Sequence, residues 1–272
     1  MIALLLALGR GRPQSPSLHG QRLCSGAARV GGKIGDVIEG TPHLLIRCPP
    51  QTAVREPGVS TSRVERYFDA HASDYDRQIG GAERWLLGRH REWATSRAAG
   101  MVLELAVGTG LNLALYPDQV EHVLGVDLSE GMLDHARARL HARGMGDRIE
   151  VRHGDVQHLD LADASVDTVL ATYTLCTVPN PRAALIEARR VLRPGGRLLL
   201  VEHGPSRSAW VRAAQRALNP LTVRWQVDDL LCNASDLATD VGFEITHADQ
   251  VGVAGLVHRV DAAKPTAHTR TG

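Results

Sequence analysis

The sequence predicts an α/β fold: a mostly parallel seven-stranded sheet with helices on both faces and an antiparallel hairpin at its C-terminal edge. Three observations lead there. Five short apolar runs, at 102–106, 123–127, 149–152, 166–171 and 197–201, alternate with helical patterns. The links between them are short, which implies right-handed crossovers and parallel pairing. Two further runs, 243–247 and 253–260, follow with no helix between them and should pair back as a hairpin.

Each element has its own signal. Residues 1–60 show no sustained periodicity and are rich in Gly, Pro and Arg, so they read as a disordered leader. Residues 1–35 hold no acid but four arginines and Lys33, the pattern of a targeting segment or of sequence upstream of a later start. The apolar run 1–8 is far short of the roughly 20 residues that span a bilayer. A phosphate-loop near-match at 26–33 has one residue too many and Ile34 where Ser or Thr is needed. The folded domain is expected over 61–262, with 263–272 as a tail. Val64, Tyr67 and Phe68 fall at helical spacing. A second helix is expected over 82–96, with Trp85, Leu86, Arg89 and Trp93 on a stripe that packs on the sheet. After the first strand a helix is expected from near Gly110. Ser129 should cap a helix that buries Met132, Leu133, Ala136 and Leu140. Asn180 caps and Pro181 opens the next, to Leu192. The turn R-P-G-G at 193–196 leads into the fifth strand, and 230–241 reads as helix.

Net charge is +1 with 22% charged residues, so no basic field points to nucleic acid. Lys33 and Lys264 are the only lysines, an arginine bias read as coding composition. Cys24, Cys48, Cys176 and Cys232 show no C-x-x-C spacing, which argues against a disulfide framework or zinc site and for a reducing compartment.

The chemistry centres on M-V-L-E-L-A-V-G-T-G, 101–110: a strand carrying Glu104 that breaks at Gly108 and Gly110. Glycine there permits φ > 0 and close backbone approach to a ligand. Seventeen residues after Gly110 the next strand ends in Asp127, where a ribose would lie. A dinucleotide site wants a third glycine at 113, but this chain has Leu113. A shorter, more acidic turn with no pyrophosphate to hold suits S-adenosyl-L-methionine (SAM). Glu104 would lie under the turn near the cationic amino-acid half, and Asp127 would accept both ribose hydroxyls. Met132 would pack on the adenine, with Asp155 and the Val156 backbone at its amino group. Singly, Asp127 reads equally as a helix cap and Asp155 as a turn residue.

The motifs E-L-A-V-G-T-G, G-V-D-L-S-E-G-M-L, G-D-V-Q-H-L-D, D-A-S-V-D-T-V and R-V-L-R-P-G-G-R-L-L-L-V-E-H resemble those of the Rossmann-like class I SAM-dependent methyltransferases. The resemblance runs from Tyr67 to about Val260. It implies a cofactor site drawn from Tyr75, Glu104, Ala106, Val107, Gly108, Gly110, Asn112, Asp127, Leu128, Met132, Asp155, Val156 and Thr172. Y-F-D-A-H-A-S-D-Y-D is similar to the start of quinone-biosynthesis methyltransferases. T-L-C-T-V, L-R-P-G-G, V-E-H and L-C-N are similar to methyltransferase-like thiol S-methyltransferases. Ala106 stands where the family usually has glycine, and Leu231 where the thiol-methylating group has glycine. The leader is shorter than that group's membrane-anchoring helix.

Methyl transfer from a sulfonium is an in-line displacement that needs alignment more than acid–base force. No G-x-S-x-G, H-E-x-x-H or paired metal ligands are visible, and no metal is expected. Candidates near the methyl group are Thr172, Tyr173, Thr174 and Cys176 after the fourth strand, and Glu202 and His203 after the fifth. His203 could take a proton from a thiol or phenol, or be structural; Cys176 reads as a small buried apolar residue. Tyr75 would close as a lid. Residues 207–225, with Trp210, Leu218, Leu221 and Trp225, would cover the substrate. The expected function is methyl transfer to a small apolar or amphipathic acceptor: a thiol, a quinol or phenol, or an aminolipid. The alternatives are a nicotinamide-dependent oxidoreductase and a SAM-binding protein without catalysis. No nucleic acid partner and no integral membrane span are expected, and the location is cytoplasmic or membrane-peripheral.

Overall fold

The computed structural model describes residues 59–83 and 89–266. The leader up to residue 58, with Trp85 and Leu86, lies outside them.

The apolar runs become a seven-stranded sheet of order β3-β2-β1-β4-β5-β7-β6. Its first five strands are β1 (Gly100–Leu105), β2 (Val120–Asp127), β3 (Ile149–His153), β4 (Val166–Thr172) and β5 (Leu192–His203), all parallel. β6 (Glu244–Val251) and β7 (Val257–Ala263) form the expected hairpin. β7 inserts between β5 and β6, antiparallel to both.

Side chains alternate across the strands. Leu103, Leu105, Val169, Ala171, Leu198 and Leu200 pack on one face with α4 (Pro181–Val191) and α6 (Ala234–Asp240). Val102, Leu170, Leu199 and Val201 face α2 (Arg91–Thr95) and α3 (Glu130–Arg143) on the other. Burial from both sides explains why these runs are continuously apolar rather than alternating. α1 (Thr61–Ala82) joins the second of these layers through Ile79, and its residues, like those at the end of α5 (Ala209–Gln226), line cavities at the carboxyl ends of the strands.

Both read caps form. Ser129 Oγ accepts from Met132 N at 3.1 Å, and Asn180 Oδ1 from Ala183 N at 3.1 Å. Met132, Leu133, Ala136 and Leu140 are all buried.

Other expectations are corrected. No α-helix follows Gly110; a single 3-10 turn, Leu113–Leu115, stands there. Pro117 forces Tyr116 into an extended conformation, which ends the turn at once. Of the helix expected over 82–96, Ala82 belongs to the end of α1 and Arg91–Thr95 form α2, while 84–88 lie outside the described residues. Residues 230–233 are not helical because side chains take their amides: Leu230 N donates to Asn219 Oδ1 at 2.7 Å and Leu231 N to Asp229 Oδ1 at 3.0 Å. R-P-G-G is a bulge within β5, with Leu192 opposite Val166 and Arg197 opposite Thr168. The fold also passes its expected end, as Lys264 N donates to Gly196 O at 2.9 Å.

Among the described residues no helix is long and apolar enough to cross a membrane. The sheet order reverses between β1 and β4, and a ligand crevice belongs at the carboxyl ends of those strands.

Candidate functional site

A cleft opens there, with about 650 Å³ of empty space counting its open mouth. Of the residues read from sequence, Tyr75, Ala106, Gly108, Asp127, Leu128, Met132, Asp155, Val156 and Thr172 line it. Asp127 ties two elements together: Oδ2 accepts from Gly108 N at 2.8 Å and Oδ1 from Ser129 N at 2.9 Å. Burial pushes its carboxyl above the usual range, and these amides pull it partly back. Asp155 does form a turn, accepting from Gln157 N at 2.9 Å, and lines the cavity as well. The two readings of that residue are therefore compatible.

Glu104, Val107, Gly110 and Asn112 do not line the cavity; they build its support. Glu104 is 2% exposed, bonded through Oε1 to Asn112 Nδ2 at 2.8 Å and through Oε2 to the Tyr116 hydroxyl at 2.6 Å. Burial raises its carboxyl to about 7. Val107 packs against β2, where a Cβ on Gly125 would sit 2.9 Å from the valine. Gly110, at φ +79°, receives Leu113, whose Cδ1 would lie 2.6 Å from any Cβ there. Leu113 thus packs tightly on Gly110, at the position where a dinucleotide turn has its third glycine. Ala106 and Tyr173, both on the cavity wall, hold φ of +50° and +56°. Left-handed backbone at residues with a Cβ is strain held by the surroundings.

α1 forms the outer wall, through pairs of residues seven apart, two helical turns. Phe68 and Tyr75 line the cavity, and burial raises the Tyr75 hydroxyl to about 12. Beside them Asp69 accepts from Ser129 Oγ at 2.5 Å and Gly131 N at 3.0 Å. Asp76 accepts from Thr109 Oγ1 at 2.5 Å and Arg139 at 2.5 Å.

A second cavity, about 640 Å³, shares Phe68, Tyr75, Tyr173 and Thr177 with the first. Cys176, His203 and Asp228 line it, all buried, with donor atoms within 4.8 Å of one another. His203 Nε2 lies 2.8 Å from Asp228 Oδ1. Burial works against the imidazolium, but Asp228 and then Glu202 outweigh it and raise His203 above its ordinary value. Burial opposes the Asp228 carboxylate too, and His203 more than offsets it, lowering that pKa. Burial, with Asp228 and Glu202 adding to it, pushes the Cys176 thiol well up. Three such groups could hold a metal; here His203 Nε2 and Asp228 Oδ1 are hydrogen-bonded to each other at 2.8 Å.

A family described as a methyltransferase domain matches residues 103–200, from β1 through most of β5. The chain is 37% identical over 131 residues to a phosphatidylethanolamine N-methyltransferase of Cereibacter sphaeroides, covering 47% of this chain and 64% of that one. It is 32% identical over 203 residues to a ubiquinone/menaquinone biosynthesis C-methyltransferase of Rubrivivax gelatinosus, covering 72% of this chain and 77% of the relative. The chain belongs to the class I SAM-dependent methyltransferases. Among solved structures it is similar to the [4+2]-cyclase SpnF, with a TM-score of 0.62 and 18% identity over 78% of this chain and 99% of that one, a likeness of fold alone.

SAM is the cofactor of this methyltransferase family, and the first cavity fits it: a fixed acid at the β2 tip, apolar side chains beside it and a second acid at β3. The oxidoreductase alternative falls with the family and with Leu113. Sequence reasoning missed Asp69, Asp76 and Arg91. Arg91 donates to Thr172 Oγ1 at 2.7 Å and Asn112 Oδ1 at 3.3 Å, and its guanidinium carbon lies 5.2 Å from the Tyr173 ring centroid. The seven-residue spacing in Y-F-D-A-H-A-S-D-Y-D was a readable signal for the two aspartates. Arg91 offered none, and the stripe read on its helix picked Arg89, which is exposed. Trp93 does pack as core, with Arg97 and Arg259 over its ring.

Proposed function

We propose that this methyltransferase moves a methyl group from SAM in the first cavity to a small apolar or amphipathic acceptor in the second. The acceptor class is a thiol, a quinol or phenol, or an aminolipid. The observation that carries this reading is the shared wall: Phe68, Tyr75, Tyr173 and Thr177 border both cavities, and a buried His–Asp pair faces the second. The relatives named for quinone C-methylation and phosphatidylethanolamine N-methylation support an amphipathic acceptor. The chain spans 64% of the phosphatidylethanolamine enzyme and 59% of a demethylmenaquinone methyltransferase from Clavibacter sepedonicus.

When bound, SAM supplies an electrophilic sulfonium methyl. Asp127 would hold its ribose, Leu128, Met132 and Val156 its adenine, and Asp155 the adenine amino group. The aromatic walls exclude water at the junction and align the acceptor, which can supply several kcal/mol of the barrier. Asp228 fixes the His203 tautomer by accepting from Nε2, which leaves Nδ1 to take the acceptor's proton.

The test is release of S-adenosylhomocysteine across a panel of thiols, quinols, phenols and aminolipids. Turnover with one class, lost in His203→Ala with SAM binding unchanged, is the expected result. Tight SAM binding with no turnover on any member would instead support a non-catalytic SAM-binding protein.

A further inference from the structure

α5 is built inside out. Its buried positions are polar. Gln215, 3% exposed, donates to Gly204 O at 2.8 Å and Leu230 O at 3.1 Å and accepts from Ser206 N at 2.8 Å. Thr222 is the other buried residue, bonded to Asn219 O at 3.1 Å. The large apolar side chains point outward: Trp210 is 88% exposed, Trp225 68% and Leu221 53%. At 100° per residue these three fall within about 60° of arc, with exposed Ala214 among them. Among the described residues, the other exposed large apolar side chains, Ile186 and Val253, stand singly on other elements.

Charge selects the partner. Residues 207–226 contain Arg207, Arg212, Arg216 and Arg224 and no acid. A symmetric dimer through this face would bury the stripe but bring both sets of arginines together with no acid on the helix to offset them. An anionic lipid surface meets both features. Indoles and Leu221 enter the boundary between headgroups and acyl chains, and guanidinium groups bind phosphates.

We propose that α5 docks this methyltransferase on anionic phospholipid membranes. Trp225 is followed by Gln226, which lines the second cavity together with Asp228. Docking would therefore set that cavity's mouth at the lipid boundary, a consequence that rests on the cavity being the acceptor site. The docking itself does not.

The experiment is flotation of the full chain with phosphatidylcholine vesicles, with and without phosphatidylglycerol, followed also by tryptophan fluorescence. Expected are binding to the anionic vesicles that salt weakens, and a blue shift on binding. Arg216→Gln with Arg224→Gln should weaken binding about 25-fold, at roughly fivefold per arginine near an anionic surface. Trp210→Glu with Trp225→Glu should abolish it, with melting temperature and SAM affinity unchanged. Failure to bind anionic vesicles, or equal binding by wild type and variants, overturns the proposal. A concentration-dependent dimer lost in Trp210→Glu also overturns it, making the face an interface between copies. SAM affinity, measured on the same variants, keeps a failure here separate from a failure of the methyl-transfer reading.

Discussion

Asp127→Asn tests the link between structure and cofactor most directly. In the free protein the carboxylate accepts from Gly108 N and Ser129 N. Asparagine keeps one acceptor oxygen, so one of these bonds is lost, while a buried charge is relieved. The net effect on stability should be a modest loss of about 1–2 kcal/mol. Cofactor affinity should suffer more. Two ribose hydroxyls on a carboxylate are worth roughly 1.5–3 kcal/mol each, and a neutral amide recovers only about 0.5–1.5 of each. The difference, about 2–3 kcal/mol, is roughly a 30- to 160-fold rise in Kd. Isothermal titration with SAM measures it, with near-UV circular dichroism confirming that the variant is folded. A folded variant whose Kd stays within about threefold of wild type would refute the ribose assignment and the bottom-up reading of the β2 tip.

Ala106→Gly should leave stability unchanged or raise it by up to about 1.5 kcal/mol. A left-handed alanine costs about 1–2 kcal/mol, and glycine gives back roughly 0.5–1 through chain entropy; thermal melting decides, and a clear loss would mean the methyl group makes a contact of its own. Asp69→Ala removes the acceptor for the Ser129 hydroxyl and the Gly131 amide and should weaken SAM binding while speeding hydrogen exchange in α1 ahead of the sheet. Uniform exchange would show that α1 is not latched there. The rate of methyl transfer to a thiol or phenol should climb with pH through a value above 6.5, because Asp228 holds His203 protonated beyond the ordinary imidazole range. In Asp228→Asn the climb should move to lower pH and the plateau should fall, whereas superimposable profiles would remove His203 as the base. The same pair makes a stability prediction. His203's contribution is complete below its unfolded value and lost as pH rises through the folded one, and Asp228's is lost as pH falls through its lowered value. Melting temperature against pH, with His203→Ala as control, checks both limbs.

The sheet was legible because burial on both faces leaves long apolar runs that little else explains. Helices with explicit chemistry at their ends were equally plain: Ser129, Asn180 and Pro181 each mark a start that forms. The helix after Gly110 was misread because the pattern carried on while Pro117 stopped the chain physically. Much of the first cavity's lining was readable, since strand ends recur at fixed spacing. Its supporting layer was not. Glu104, Asn112 and Arg91 depend on bonds spanning 8 to 81 residues, which no local pattern encodes. His203 stood out at a strand end, but its partner Asp228 lies 25 residues on, past α5. Residues 207–225 read as substrate cover from sequence, yet Trp210, Leu221 and Trp225 are exposed, because periodicity alone does not say which side of a helix meets the protein.

α1 brings Phe68 and Tyr75 to both cavities and is fastened by Asp69 and Asp76 to α3 and the glycine turn. With donor and acceptor placed as proposed, a movement of α1 would open both chambers together, so that release of a spent donor and entry of a fresh acceptor would be coupled through one helix.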